Sequence, residues 1–483
     1  MWFRYKRRRF YELASRIPAV PGLIPLVLML QFSYNTSDLI FELIKKFSAY
    51  AFKNGGIIRL FTGPKLYVGI TNPEDTEYIL KYCLEKENIV NFLKSIVGNA
   101  AVFAPVSYWT PRRKILVPTF SLKIVYSFFD VITEQSNELV DILGSDKRIG
   151  TGQFSVWNYM SAFTLNSLTE TALGVKVTGQ RTDNPVIKAV LDIFHLLTHR
   201  MFHIWLWPDC IYKFTSQHAD FKESVRILYK LTDEIIQKKR TELRDLDLEE
   251  YNNQASGSTR CFLEHLMLLS GKDSGLSDVE LRDEISLLLL AGTDTSAVAI
   301  CNTLKLLAMY PKVQEDIYIE LMDVLGDSNR KLNRSDLKDL KYLNMVVKES
   351  LRLFPPVPII VRKVCEETVL PSGVILPNNT AVIVFVWGVN RDPNYWGPDA
   401  HCFRPERYLS DEKSSLITTF SLGTRNCVGY QFALLVIKIA LTTILRRYKI
   451  VGTEEPSAIP NLNSTFSIML RDKENYQISL EKR

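Results

Sequence analysis

Apolar positions recur at helical spacing through the middle of this chain and in short β-like runs towards its two ends. "IIRLF" and "KLYVGI" enclose "TGP", which predicts a hairpin-like pair of strands over residues 57–70. "NPEDTEYILKYCL" opens on turn residues and continues with the spacing of an amphipathic helix. Helical patterns then dominate from about residue 109 to 354, and the polar stretch 244–260 reads as an exposed loop between helices. After Pro355 and Pro356 the character changes. "VPIIVRKV", "TVLPSGVILP" and "TAVIVFVWGV" are β-branched runs punctuated by Pro and Gly, so they read as strands. Helical spacing returns from Gln431 to Arg447, and short strands close the chain. The pattern predicts a mainly α fold with a minor β region.

The strongest single element is "LSDVELRDEISLLLLAGTDTSAVAICNTLKLLAMYP". Ser277 and Glu280 form an S-x-x-E capping box, and Pro311 stops the helix. About thirty residues at ~1.5 Å each make it roughly 45 Å long, enough to cross a domain. Its middle is apolar on every face, which predicts burial.

Composition adds bounds. The 483 residues contain no low-complexity block, linker or internal repeat, so one large domain is expected over 31–483, after a basic and proline-rich segment, 1–30. The seven cysteines are scattered and never form C-x-x-C, which argues against a disulfide framework and a cysteine zinc site. The net charge is +6, and residues 1–16 carry six basic residues against one acidic. That patch reads either as a solvated tail or as a membrane-surface patch with Trp2, Phe3, Tyr5 and Phe10 among the headgroups. The rest is nearly neutral, which excludes nucleic acid as a partner of the whole protein. The apolar run Ala19 to Leu30 is broken by Pro21 and Pro25 and is shorter than the ~20 residues a bilayer span needs, so no membrane anchor is expected in it.

Four short segments carry chemistry. "AGTDTS", Ala291 to Ser296, puts polar groups inside the buried helix. It fits a Gly–Thr kink, or a site where a small molecule displaces a backbone hydrogen bond beside an acid–alcohol pair. In "KESLR", Glu349 and Arg352 lie three apart on one helix face. In "FRPERY", Arg407 can point inward to bind carboxylates, or lie in a solvated loop. "FSLGTRNCVG" places Cys427 between Gly423 and Gly429, which let the backbone approach something flat, with Arg425 in reach of an anion. Thiolate ligation of iron fits such a cysteine; a buried structural thiol is the other reading.

"FSLGTRNCVG" fits F-x-x-G-x-R-x-C-x-G without a mismatch. With "AGTDTS", "ESLR" and "FRPERY" before it in order, nearly the whole chain resembles a cytochrome P450. The resemblance implies haem b with Cys427 as axial thiolate and Phe420 packed near the sulfur. Trp109 and Arg113 match a W-x-x-x-R pair for a haem propionate, and Arg362 and Arg425 are implied as further propionate partners. Asp294 and Thr295 resemble the pair that relays protons to dioxygen. Glu349, Arg352 and Arg407 resemble a buried structural triad.

"YLNMVVKESLRLFPPVP" and "NCVGYQFALL" are most similar to the microsomal family-4 clan. That likeness implies a monooxygenase of lipophilic substrates (fatty acids, terpenoid hormones or xenobiotics) using O2 and electrons from NADPH through a separate reductase. It implies a monomer on the cytosolic face of the endoplasmic reticulum membrane. An isomerase or dehydratase of lipid peroxides and a non-enzymatic haem sensor are the alternatives; an intact Asp294–Thr295 pair speaks against both.

The chain departs from that pattern in places. Ala291 stands where many family-4 members carry a glutamate that forms an ester with the haem, so covalent attachment is not expected. Pro111 falls inside W-x-x-x-R and should delay that helix, with Thr110 as its cap. Asn390 replaces the usual His of an "HRDP"-like segment. His195, His199 and His203 share one helix face, which reads as a channel-lining or membrane-touching helix, or as a metal-chelating row.

Overall fold

The computed structural model describes residues 7–21, 36–87, 94–102, 104–176, 185–244, 260–269, 275–326, 330–409, 418–452 and 457–483. Helices α1 (Arg8–Ser15) and α2 (Thr36–Lys53) precede strands β1 (Ile57–Thr62) and β2 (Lys65–Ile70) and helix α3 (Pro73–Tyr82). The body is helical: α4 (Val106–Thr119), then, after β3 (Phe154–Ser155), α5 (Trp157–Leu173), α6 (Pro185–Phe202), α7 (Ser216–Arg244), α8 (Asp278–Met309) and α9 (Lys341–Leu353), with further helices between, Phe129–Gly144 and Pro311–Leu325 among them. Strands β4 (Ile360–Lys363), β5 (Thr368–Val369), β6 (Ile375–Leu376) and β7 (Ala381–Val384) come next. Helix α10 (Tyr430–Arg447) leads to β8 (Tyr448–Val451), β9 (Ser464–Ser467), β10 (Met469–Asp472) and β11 (Gln477–Lys482). The fold is mainly α with small sheets, as the pattern predicts; residues 245–259, within the expected loop, lie outside the described residues.

The early hairpin and two of the late strands make one sheet. Its order is β1-β2-β7-β4, antiparallel except where β2 runs parallel to β7. Leu66, Val68 and Ile70 alternate onto the buried face, where Val382 and Val384 meet them. Helix α1 lays Phe10 and Ala14 into the same cluster, and Ile17 joins them just after its end. Phe10, read as part of a solvated tail or among headgroups, is therefore a core residue, because α1 has an apolar face and the sheet offers it a dry partner. Trp2, Phe3 and Tyr5 lie outside the described residues.

Helix α8 is 32 residues long and capped as expected. Ser277 Oγ accepts from the Glu280 N–H at 3.3 Å, and Glu280 Oε2 accepts from the Ser277 N–H at 2.9 Å. Among the described residues it alone is long and apolar enough to cross a bilayer, yet most of it lies inside the protein.

Helix α4 corrects one expectation. It starts at Val106, a full turn before Pro111, and Thr110 is not its cap but donates to the Val106 carbonyl at 2.8 Å. The cause is a distant acceptor. Glu85 Oε1 takes the Val106 N–H at 3.0 Å, satisfying a first-turn donor that local sequence leaves open.

Candidate active site

The segment from Phe420 to Gly429 closes on itself between α9 and α10. Cys427 N–H donates to the Phe420 carbonyl at 2.8 Å, which shuts the neck of the loop. Gly423 has φ 71°, and a Cβ there would come within 2.7 Å of the Lys81 backbone on α3. Its positive φ and the close approach of α3 both call for glycine there. At Gly429 an added Cβ would meet only Phe120, at 3.8 Å. Cys427 itself is accessible rather than packed away as a structural thiol. Burial pushes its thiol pKa up, while the Gly429 N–H and the charges of Arg113 and Lys86 draw it down.

Cations crowd this loop. Arg113 donates to the Asn426 carbonyl at 3.0 Å and to its side chain at 2.5 Å. Arg425 lies over the Trp109 ring, 4.4 Å from the centroid, and donates to the Ala104 carbonyl at 2.8 Å. Arg362 is buried and reaches Ser421 Oγ at 3.4 Å. The Nε atoms of Arg362 and Arg425 have no protein partner. Burial and mutual repulsion pull the Arg362 pKa down to about 10; burial does the same to Arg425, again to about 10. Lys86 is half-buried beside both, its pKa lowered by desolvation and by the two guanidinium groups. Two buried guanidinium groups and a half-buried lysine around an accessible cysteine suit a flat dianion with a thiolate-binding centre. The residues present fit a haem.

In the middle of α8 the helix changes from buried to accessible along one stripe, Leu287, Leu288, Ala291 and Thr295. These positions share a face, and that face is apolar except for the threonine. Thr295 Oγ1 donates to the Ala291 carbonyl at 2.7 Å. Asp294 is turned about 100° away, fully buried and paired with Arg471 on β10. Among the described residues no hydrogen bond joins the Asp294 carboxylate to the Thr295 hydroxyl. The structure thus places the two residues side by side in sequence but facing different neighbours.

Glu349, Arg352 and Arg407 come together in the core. Arg352 donates to both oxygens of Glu349 at 2.8 Å, and Arg407 Nε donates to Oε1 at 2.8 Å. Arg352 also binds the carbonyls of Asn390 and Ala400, each at 2.6 Å. Asn390, flagged only as a departure, ties this network to the cysteine loop's approach. Its Nδ2 donates to the Arg352 carbonyl at 3.1 Å, and its Oδ1 accepts from Thr418 at 2.8 Å.

Three features were not read from the sequence. Arg112 forms a buried pair with Glu284 of α8 at 3.1 Å, and Glu284 also accepts the Ala101 N–H at 3.0 Å. Lys86 and Arg471 are the others, and the one local cue to Arg471 is a charge closing the apolar run "FSIML". Among the described residues no group of three His, Cys, Asp or Glu is placed to hold a metal ion, the histidine row included. His199 and His203 stack at 3.8 Å, and His203 Nδ1 lies 2.6 Å from the His199 carbonyl.

A mainly helical body with one long buried helix, and a cysteine loop framed by buried cations, has the architecture of a haem-thiolate monooxygenase. The cytochrome P450 family model matches residues 18–480, and the chain belongs to that family. It is similar to mouse Cytochrome P450 4V2, 30% identical over 99% of this chain and 91% of that one. Human Cytochrome P450 4V2 is 32% identical over 88% of this chain and 82% of that one. Probable cytochrome P450 4d20 of Drosophila melanogaster is 30% identical over 83% and 80%. The protein is an oxidoreductase, a haem-iron monooxygenase that uses O2, a lipophilic substrate and a redox partner.

Proposed function

We propose that Cys427 is the axial ligand of a haem b, that Arg113, Arg362, Arg425 and Trp109 hold its carboxylates, and that the chain oxidises fatty acids, terpenoid hormones or lipophilic xenobiotics. The observation that carries the reading is an accessible Cys427 in a loop flanked by the buried guanidinium groups of Arg362 and Arg425, whose Nε atoms have no protein partner. Bound there, the haem supplies dioxygen activation. The protein does the rest. The Gly429 N–H and the nearby cations favour the thiolate form of Cys427. Leu287, Leu288 and Ala291 offer an apolar wall, which orients an aliphatic substrate and excludes water. Asp294 and Thr295 move protons to the reacting oxygen. Glu349, Arg352 and Arg407 are structural and hold the loop's platform.

Electrons come from NADPH through a separate reductase, and the enzyme works as a monomer on the cytosolic face of the endoplasmic reticulum membrane. Exposed Trp205, Trp207, Ile211 and Phe214, clustered between α6 and α7, support contact with that surface. The test is spectroscopic. Reduced protein with carbon monoxide should give the red-shifted Soret band of thiolate ligation, and Cys427→Ser should abolish it; a wild-type protein without that band would overturn the assignment. Thr295→Ala should raise the peroxide released per product formed.

A further inference from the structure

All seven cysteines are free thiols, and two that lie far apart in the chain are brought together by the fold. Cys83 caps the end of α3, where its N–H donates to the Ile79 carbonyl at 3.0 Å. Cys365 lies just past the end of β4. The two segments are joined by a backbone bond from the Lys363 N–H to the Glu85 carbonyl at 2.8 Å, and each cysteine stands two residues from it. Val364, next to Cys365, is buried in the cluster against which Cys83 packs. It is also fixed in place, donating to the Thr380 carbonyl at 2.9 Å and accepting from the Asn379 N–H at 2.8 Å.

The two thiols differ in accessibility. Cys365 is exposed and Cys83 half-buried. Burial pushes the Cys83 thiol up to about 11, and Cys365 adds to that, an influence that decays with distance and so marks the two as neighbours. A thiol held in its protonated form is a poor nucleophile, so Cys365 is the sulfur that a dissolved oxidant meets first. The pair also borders the cofactor seat. Arg362 precedes Lys363 on β4 and feels the charge of Cys83, while Lys86 stands on the segment that follows Cys83 and feels Arg362, Arg425 and Cys427.

We propose that Cys83 and Cys365 are a peroxide-responsive thiol pair, whose disulfide fastens segment 83–87 to β4 at the edge of the cofactor seat. The oxidant is hydrogen peroxide, which a haem monooxygenase releases when it reduces dioxygen without forming product. In the first step the O–O bond breaks, one oxygen joins the Cys365 sulfur as a sulfenic acid, and the other leaves as water with the thiol proton. The Cys83 sulfur then attacks that of Cys365. An S–S bond forms, the S–O bond breaks, and the hydroxyl leaves as a second water with the Cys83 proton. Two thiols have lost two electrons and one peroxide has gained them. The source of the peroxide rests on the monooxygenase reading; the thiol chemistry does not. Such a bond is not a structural framework but a reversible one, the kind found where the surroundings are reducing.

The test adds hydrogen peroxide to the haem-loaded enzyme and maps its peptides without a reducing agent. Wild-type protein should yield a Cys83–Cys365 cross-link that a dithiol reverses. Cys83→Ser should stop at a Cys365 sulfenic acid, which dimedone captures, and Cys365→Ser should leave Cys83 unmodified. Cys83→Ala covers the case in which serine is not tolerated at the half-buried position. In the cross-linked protein, haem transfer to apomyoglobin should slow at least about 3-fold, because local opening of the fastened segment is restrained, and the dithiol should restore the rate. The carbon monoxide spectrum of the same samples separates this from damage to Cys427, which would remove the thiolate band. Oxidation of Cys365 in the wild-type protein without a cross-link to Cys83 would overturn the pair. A cross-link that leaves haem transfer unchanged would overturn its hold on the cofactor seat.

Discussion

Glu349 accepts hydrogen bonds from two arginines and from the Arg404 N–H, with none of its carboxylate exposed to solvent. Removing one partner of such a pair leaves a charge buried without compensation, which costs about 3–5 kcal/mol. Arg352→Ala should therefore unfold at a markedly lower temperature and retain less haem, measured by thermal melting and by haem-to-protein ratio. An unchanged melting temperature would contradict this. Glu349, Arg352 and Arg407 were legible as residues, since their motifs are local. Their partners were not: the Asn390, Ala400 and Cys402 carbonyls come from turns that only tertiary packing brings within reach of Arg352. Arg471 shows the same limit, being 177 residues from the acid it binds.

Elements whose ends are settled locally were readable from the chain. The helix after "NPED", the Ser277 cap, the hairpin at 57–70 and the last helix all stand where periodicity and capping chemistry predict them. Helix α4 was misread because its first turn is completed by Glu85, a partner that local pattern cannot reveal. Pro111 then lies inside the helix, where its ring nitrogen has no proton to offer the Ser107 carbonyl. Restoring that donor with Pro111→Ala should stabilise the protein by about 1–3 kcal/mol, seen as a higher midpoint in urea. A lower midpoint would mean that the ring's packing outweighs the lost hydrogen bond. The pair Arg112–Glu284 links this helix to α8, so the gain should persist in the haem-loaded protein.

At the scale of the molecule, four exposed apolar residues, Trp205, Trp207, Ile211 and Phe214, fall in the short stretch between α6 and α7, with Phe214 92% accessible. The indole N–H of Trp207 is already satisfied by the Met201 carbonyl at 3.1 Å, which leaves its ring free to enter an apolar medium. Burying such side chains is worth about 1.5–3 kcal/mol each. The double variant Trp207→Ser with Phe214→Ser should bind phosphatidylcholine vesicles at least about 10-fold more weakly in co-sedimentation, with the carbon monoxide spectrum intact. Equal sedimentation would place the lipid contact elsewhere.

The bond from Cys427 N–H to the Phe420 carbonyl has a consequence at this same scale. A loop locked at its own neck, and seated against α3 at Gly423, gives up little freedom when a ligand arrives. Cofactor insertion should then be a docking event on a prepared seat rather than a folding event, and exchange of the native haem for a modified porphyrin should proceed without global unfolding.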